Sequence, residues 1–161
     1  MIERSPGLTE GEIWNHLSEV CDPEVPVLTV IDLGIVRNIQ VVNGKVKVVI
    51  TPTYSGCPAM NIIEQDINAK LIEKGIDNFT IETVLTPTWT TEWMSKEGKA
   101  KLKEYGIAPP NIGAVGSGRP KECPNCRSKD TKLKSEFGST ACKALYVCES
   151  CKEPFDYFKC H

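Results

Sequence analysis

Apolar residues recur at helical spacing in three stretches of the chain. The first stretch follows a Thr-Glu-Gly-Glu capping box and predicts an amphipathic helix over residues 9–20. The second lies between a proline and a glycine, which suit the start and the stop of a helix, and predicts a helix over residues 58–74. The third is rich in lysine, ends at a glycine and predicts a helix over residues 95–105.

Three runs of β-branched residues predict strands in the same part of the chain. Residues 35–42 and 45–51 are joined by Asn43-Gly44, a strong signal for a two-residue hairpin turn. The third run, residues 78–85, follows the second helix, and a strand–helix–strand unit prefers a right-handed parallel crossover. We therefore expect a small mixed three-stranded sheet with packed helices, which makes the fold class α+β.

A Pro- and Gly-rich segment divides the chain. Residues 107–120 contain two adjacent prolines and three glycines and show no periodicity, so we place a linker at 109–120. The α/β domain is then expected at 1–108 and a small β domain at 121–161. The strands expected in the second domain are at 131–137, 142–147 and 154–159, the last of which carries the aromatic residues of a small core, Phe155, Tyr157 and Phe158.

Four of the eight cysteines form two Cys-x-x-Cys pairs that are separated by twenty-one residues. Two such pairs can bring four thiolates to one tetrahedral zinc ion, and a site closed in this way is structural. The alternative is two disulfides, but the chain shows neither a secretory signal nor a long apolar span, so we expect a cytoplasmic protein with reduced thiols and no membrane association. The predicted ligands of this zinc ribbon are Cys123, Cys126, Cys148 and Cys151.

Cys57 is placed by the pattern at or beside the start of the second helix. The unpaired amides and the dipole of a helix start favour negative charge, so a thiol there is expected to have a lowered pKa and to be a better nucleophile or metal ligand. The preceding Gly56 leaves room for a ligand to approach the backbone. The alternative is a small buried residue that only caps the helix, and the residues alone leave both open.

Other features of the sequence have more than one interpretation. Cys142, Cys160 and His161 are further metal-ligand types in the ribbon, although the last two could equally be a frayed terminus. Trp89 and Trp93 could wall a pocket or form a docking face, or they could make a core contact at a helix start. The formal net charge of −2 argues against a general nucleic-acid-binding protein.

Several motifs resemble those of a known family. Residues 22–26 (Asp-Pro-Glu-Val-Pro), 32–34 (Asp-Leu-Gly), 51–58 with their Gly-Cys-Pro, and 87–95 resemble the α/β domain of iron-sulfur-assembly proteins of the SufT type. With the sequences of residues 137–146 and 153–161, the whole chain resembles the family of D subunits of bacterial phenylacetyl-CoA epoxidase systems. The matching segments run nearly from end to end of the chain.

This resemblance implies a non-catalytic accessory protein of aerobic phenylacetate degradation. The oxygenase of such a system is a separate di-iron protein, and a separate reductase carries a flavin and a 2Fe–2S cluster; one or both would be partners. The resemblance places the reactive cysteine of the family on Cys57 and its acidic loop on Asp22 and Glu24. We expect transient binding of iron or of a cluster at Cys57 beside these carboxylates and Asp32, during maturation of a metal centre.

A single cysteine cannot hold a cluster by itself, so further ligands would come from a second protomer in a homodimer, a small thiol, the client or the other ribbon residues. Two alternatives to the maturation hypothesis remain. The chain could be an adaptor that docks epoxidase components through the ribbon and the two tryptophans. It could also have a thiol-based activity at Cys57, although no histidine accompanies this cysteine in an obvious pair and no phosphate-binding loop is present.

Overall fold

The chain folds into two compact units that divide between Trp89 and Thr90. The computed structural model describes residues 7–53, 57–110, 119–138, 140 and 142–158. Packing therefore divides the chain well before the predicted linker at 109–120, most of which lies outside the described residues. The domain boundaries predicted from that linker stay a prediction.

The first unit is an α/β arrangement with one mixed sheet. The strand order is β1-β2-β3, with β1 antiparallel to β2 and β2 parallel to β3, which confirms the predicted α+β class and mixed sheet. The elements are α1 (Glu10–Leu17), β1 (Val36–Val42), β2 (Lys45–Ile50), α2 (Ala59–Glu73) and β3 (Phe79–Thr83).

Local signals in the sequence account for the ends of these elements. The Thr9 Oγ1 atom accepts a hydrogen bond from the Glu12 amide at 3.3 Å, and the Glu12 carboxylate accepts one from the Thr9 amide at 2.9 Å, which confirms the capping box. Asn43 and Gly44 have φ angles of 52° and 77°, the left-handed values that a two-residue turn requires. The hairpin is therefore confirmed in position and in turn chemistry.

The core of the first unit is aliphatic. Alternate residues of β2 are buried, as expected of a sheet with one covered face. In β1 the buried residues are Val36 and Ile39, and the two exposed residues between them lie at a shift in the pairing register. The helices contribute side chains at intervals of four residues. Fully buried members of this core are Ile13, Leu17, Ile39, Ile50, Ile63, Ile67 and Leu71.

The second unit is a four-stranded sheet that follows a helix. The strand order is β4-β7-β6-β5, and all pairs are antiparallel except β4 and β7, which are parallel. The strand β4 was not predicted, because its two residues lie between the end of a helix and two prolines and have no periodicity. The elements are α3 (Lys96–Tyr105), β4 (Ile107–Ala108), β5 (Thr131–Ser135), β6 (Lys143–Cys148) and β7 (Pro154–Phe158).

Aromatic rings form the core of this second sheet, as predicted. The Tyr146 ring stacks on that of Phe155 at a centroid distance of 6.0 Å and meets Tyr157 edge-on at 5.7 Å. All three side chains are buried, together with Ala108 of β4. No helix in the described part of the chain is long and apolar enough to cross a membrane.

Candidate metal centre and the Cys57 region

The first Cys-x-x-Cys pair is held in a tight turn by its own backbone. The Arg127 amide donates to the Cys123 carbonyl oxygen at 2.9 Å, and the Cys123 amide donates to the Ser128 carbonyl oxygen at 2.8 Å. Arg127, directly after the second cysteine of the pair, adopts a left-handed φ of 64°. This reversal of the chain lets both sulfur atoms of the pair face the same point.

The second pair repeats the same hydrogen bonds. The Lys152 amide donates to the Cys148 carbonyl oxygen at 2.9 Å, the Cys148 amide donates to the Glu153 carbonyl oxygen at 3.0 Å, and Lys152 has a φ of 63°. The two turns are joined by a hydrogen bond of 2.8 Å between the hydroxyl groups of Ser128 and Ser150. The two pairs are thus related by an approximate two-fold repeat, with four sulfur atoms between them.

The four sulfur atoms have the spacing of a tetrahedral site. All lie within 4.8 Å of one another. The Sγ atoms of Cys123 and Cys151 are 3.9 Å apart, and those of Cys126 and Cys148 are 3.4 Å apart. A zinc–sulfur bond of about 2.3 Å gives a tetrahedral edge of roughly 3.8 Å, so small shifts of the side chains would fit the four sulfur atoms to zinc. With four protein ligands the site has no open position for a substrate.

The two thiols of the second pair have different pKa values. The Cys151 amide, which donates to the Cys148 sulfur, is the main cause that lowers the pKa of Cys148 to about 6. The pKa of Cys151 is lowered by its hydrogen bond with the Glu153 backbone, but burial and the neighbouring sulfur atoms together raise it to about 12. Without a metal the cluster therefore keeps protons at neutral pH, and a divalent cation would replace them.

Cys57 lies immediately before α2, as predicted. Its side chain is half-buried, and its carbonyl oxygen accepts a hydrogen bond of 3.2 Å from the Met60 amide. Pro58 occupies the capping position of the helix with a φ of −67°. Gly56, which was expected to leave room beside this thiol, lies outside the described residues.

The carboxylates of the acidic loop are engaged by their own backbone. One oxygen of Asp22 accepts hydrogen bonds from the Glu24 and Val25 amides at 2.7 and 2.8 Å. One oxygen of Asp32 accepts from the Thr29 amide at 3.1 Å, while the Asp32 amide donates to the Thr29 hydroxyl. Both carboxylates are buried and the Glu24 side chain is half-buried. These hydrogen bonds therefore stabilise the conformation of the loop, and they occupy one carboxylate oxygen of each aspartate.

The structure does not bring the residues of the predicted transfer site together as a complete metal-binding site. Among the described residues, the ribbon cysteines are the single group of three or more Cys, His, Asp or Glu side chains placed to share an ion. Cys57 and the three carboxylates do not form such a group. Cys142 is buried, with its sulfur 3.0 Å from the Thr140 hydroxyl, and does not belong to the four-cysteine cluster. Cys160 and His161 lie outside the described residues.

The tryptophans differ in their exposure. Trp89 is only 2% exposed, and its indole Nε1 donates to the Leu33 carbonyl oxygen at 2.8 Å, so its assignment to a docking face is corrected. Its burial follows from the large apolar area of the ring together with a partner for the N–H group. Trp93 lies in a short 3₁₀ turn, Thr91–Trp93, and is half-buried. Of these two tryptophans, Trp93 is therefore the one that is partly exposed.

Nothing in the sequence pattern distinguishes Thr51 as a candidate site residue. It follows β2 at the beginning of the segment that carries Cys57, and its side chain is 1% exposed. The Thr51 hydroxyl is buried without a hydrogen-bond partner in the described chain, although its amide donates to the Ile35 carbonyl oxygen at 2.9 Å. A threonine at the end of a buried strand carries no signal in the sequence that would reveal an unpaired hydroxyl.

Two family models match the two parts of the chain. Residues 10–83 match that of an iron-sulfur cluster assembly protein, and residues 108–159 match that of the PaaD zinc beta ribbon domain. The first match covers α1, α2, the three-stranded sheet and Cys57. The second covers all four ribbon cysteines.

Known proteins resemble either the first unit or the whole chain. A domain of unknown function, DUF59, from Bacillus anthracis superposes with a TM-score of 0.55 at 27% identity, covering 58% of this chain and 90% of that one. The Fe-S protein maturation auxiliary factor of Porphyromonas gingivalis (strain ATCC BAA-308 / W83) is 38% identical over 96 residues, which are 58% of this chain and 90% of that protein.

One relative spans both units. A protein of Escherichia coli (strain K12), provisionally named as the D subunit of 1,2-phenylacetyl-CoA epoxidase, is 49% identical over 151 residues, which are 92% of each chain. This similarity includes the assembly-type domain and the ribbon in the same order. The chain therefore belongs to the family of phenylacetyl-CoA epoxidase D subunits, in which an iron-sulfur-assembly domain precedes a PaaD-type zinc ribbon.

Proposed function

We propose that the chain is a non-catalytic accessory protein of a phenylacetyl-CoA epoxidase system and helps to mature an iron or iron-sulfur centre of that system. The observation that carries the proposal is that the first unit combines a similarity to a maturation factor with a partly accessible thiol. It reproduces 90% of the length of a protein named as an Fe-S maturation auxiliary factor, and it holds a half-buried thiol, Cys57, at the start of a helix. A partly accessible thiol can donate one ligand to iron.

The geometry around Cys57 supports transient rather than permanent binding. Asp22 and Asp32, two of the three acids predicted to share its cargo, each accept hydrogen bonds from backbone amides of their own loop, and the described residues assemble no second metal cluster. Cargo at Cys57 would depend on ligands from the client, a small thiol or a second protomer. Incomplete coordination keeps the cargo labile, which transfer requires.

The ribbon takes a different part in this proposal. Its four cysteines close a tetrahedron and leave no position for exchange, so the metal there, which we take to be zinc, stabilises the second unit and transfers nothing. Zinc and the transient cargo are thus separate sites on separate units.

The test compares two cysteine variants in cells that produce the reductase and oxygenase of the system. Cys57→Ser should lower the iron and sulfide content of the purified client, because it removes the cargo ligand. Cys21→Ser is the matched control, since Cys21 is an exposed cysteine of the same unit. Both variants should retain one zinc ion. Full client occupancy with Cys57→Ser would overturn the proposal.

A second candidate is an adaptor without metal transfer, and the closed coordination of the ribbon favours it, because such a domain commonly serves as a rigid platform. Under this hypothesis Cys57→Ser changes nothing, whereas disruption of the ribbon abolishes co-purification of the epoxidase components. The same cells therefore distinguish the two candidates: loss of metal with intact co-purification supports maturation, and the reverse supports the adaptor.

A further inference from the structure

The second sheet has an open edge at β5. In the strand order β4-β7-β6-β5 this strand is outermost, and no strand of the described chain pairs with its other side. Four of its five residues are exposed, and Leu133 exposes 41% of its surface. An edge strand of this kind offers unpaired N–H and C=O groups to an incoming chain.

The side chains along this edge are basic and apolar. Lys132 and Lys134 are exposed and form no ion pair in the described part of the chain, and Phe137, just beyond the strand, is 60% exposed. Asp130 and Glu136 flank the strand on either side. The edge thus carries two free positive charges and two apolar contacts between acidic ends.

Charge is distributed unequally between the two units. Residues 1–89 hold six basic and twelve acidic side chains, whereas residues 90–161 hold thirteen basic and nine acidic ones. The formal net charges are therefore −6 and +4 with the cysteines counted as neutral, and four thiolates around one Zn²⁺ would lower the second value to about +2. The unit that contains the open edge is the basic part of an acidic protein.

We propose that the β5 edge binds an extended acidic segment of a partner protein by strand addition. Backbone hydrogen bonds to β5 would supply affinity. Carboxylates on the segment would pair with Lys132 and Lys134, which lie beside a shift in the pairing register between Leu133 and Ser135, and an apolar residue would contact Leu133 or Phe137. This interaction does not depend on metal transfer at Cys57 and goes beyond the proposed function.

The same features disfavour the two other occupants. A second copy paired through its own β5 would bring lysines close to lysines, and like charges on neighbouring strands are destabilising. A nucleic acid would bring phosphates close to Asp130 and Glu136 at both ends of the edge, with only two free lysines between them. A short segment whose carboxylates lie only opposite the two lysines avoids both difficulties and also forms hydrogen bonds with the backbone of the strand.

The test uses the full-length, zinc-loaded protein and a short acetylated peptide in which Glu and Val alternate. Amide hydrogen exchange, read residue by residue by NMR, should slow at the amides of β5 that face outward. The double variant Lys132→Glu/Lys134→Glu should weaken binding roughly tenfold or more, because two exposed ion pairs are replaced by repulsions. A Lys-Val peptide should not bind.

The control variant Lys96→Glu/Lys99→Glu makes the same change in charge on α3 and should bind the Glu-Val peptide like the wild type. The proposal is overturned if β5 gains no protection, or if both double variants lose binding equally. It is also overturned if single-stranded oligothymidylate, rather than the peptide, perturbs Lys132 and Lys134. Protection of β5 that grows with protein concentration alone would assign the edge to a second copy and would likewise overturn it.

Discussion

The two units bury their cores by different means. The first unit closes an aliphatic core between two helices and one face of a sheet, with Ile63, Ile67 and Leu71 of α2 fully buried. In the second unit the buried cluster consists of two alanines, three aromatic residues and two of the predicted zinc ligands, Cys123 and Cys148, both 0% exposed. The metal ligands of the ribbon are therefore part of its core.

Under the proposed function, this difference explains why the labile site would lie in the first unit and not in the second. The first unit obtains its stability from apolar burial, so the thiol of Cys57, just before the start of α2, remains available for other chemistry. A sheet as small as that of the second unit buries little apolar area, so we expect its stability to depend on a bound ion. Exchange of that ion would disrupt the core, because two of its predicted ligands, Cys123 and Cys148, belong to the buried cluster.

Removal of the ribbon metal should have the largest effect. Cys148→Ser leaves three ligands and a polar atom in the buried cluster, so β5, β6 and β7 should lose their fixed structure while the first unit keeps its own. Apparent zinc affinities of about 10 kcal/mol or more in such sites set the scale of the loss. Zinc content and the dispersion of amide NMR signals measure it.

The control for this prediction is Cys21→Ser, which changes an exposed cysteine outside the cluster and should leave zinc content and spectra unchanged. A strong chelator added to the wild type should reproduce the Cys148→Ser spectrum. Persistence of the ribbon signals in zinc-free protein would show that the aromatic core is sufficient without metal.

A cavity in the aliphatic core should have the next largest effect. Ile63→Ala removes a fully buried side chain of α2 and should lower the free energy of unfolding of the first unit by about 2–5 kcal/mol, with zinc content unchanged. Chemical denaturation measures this value. Ile62→Ala is the matched control, because Ile62 is the adjacent residue and is 47% exposed; an equal loss from both would contradict the core assignment.

The unpaired hydroxyl of Thr51 should have a smaller effect of opposite sign. Thr51→Val replaces it by a methyl group of similar size and should raise the free energy of unfolding of the first unit by about 1 kcal/mol, since a buried polar atom without a partner is removed. Thr51→Ser keeps the hydroxyl and loses a methyl group, so it should destabilise. If the valine variant is less stable than the wild type, the hydroxyl has a partner.

The smallest effect is expected at the ion pairs that join the end of α1 to α2. The Glu19 carboxylate accepts a hydrogen bond from Lys70 at 3.0 Å, which is the main cause that holds the pKa of Glu19 below its ordinary value of 4.5. Its contribution is therefore present at neutral pH and is lost as the pH falls through the lowered value.

Glu19→Gln should accordingly reduce the thermal midpoint of the first unit slightly at pH 7 and leave it unchanged in acid. Melting curves across the acidic range test this, with Glu64→Gln, an exposed change on α2, as control. A loss that persists in acid would assign the effect to packing rather than to charge.

Sequence reasoning succeeded where the cause of a structure is local. The capping box at Thr9, the turn at Asn43-Gly44 and the two Cys-x-x-Cys pairs each contain their own physical explanation within a few residues. The mixed character of the first sheet followed from the parallel pairing that a strand–helix–strand unit prefers. These signals were enough to predict the architecture of the chain.

The features that could not be predicted depend on contacts between residues far apart in the sequence, or on the orientation of side chains. Trp89 is buried because its indole reaches the carbonyl of Leu33, fifty-six residues away, and β4 exists because β7 pairs with it. An aspartate in a Pro-rich loop has the same sequence whether its oxygens face a metal or backbone amides, so the roles of Asp22 and Asp32 could not be read from the pattern.

The position of β7 between β6 and β4 has a consequence for synthesis of the protein on the ribosome. Every residue of the first unit precedes residue 90, whereas the second sheet cannot close until Pro154–Phe158 has been made, since this strand pairs on both sides. A nascent or prematurely terminated chain would therefore display a folded Cys57 unit beside an unfinished ribbon. The last zinc ligand, Cys151, is made just before this strand, so zinc could be captured by a ribbon that still lacks β7.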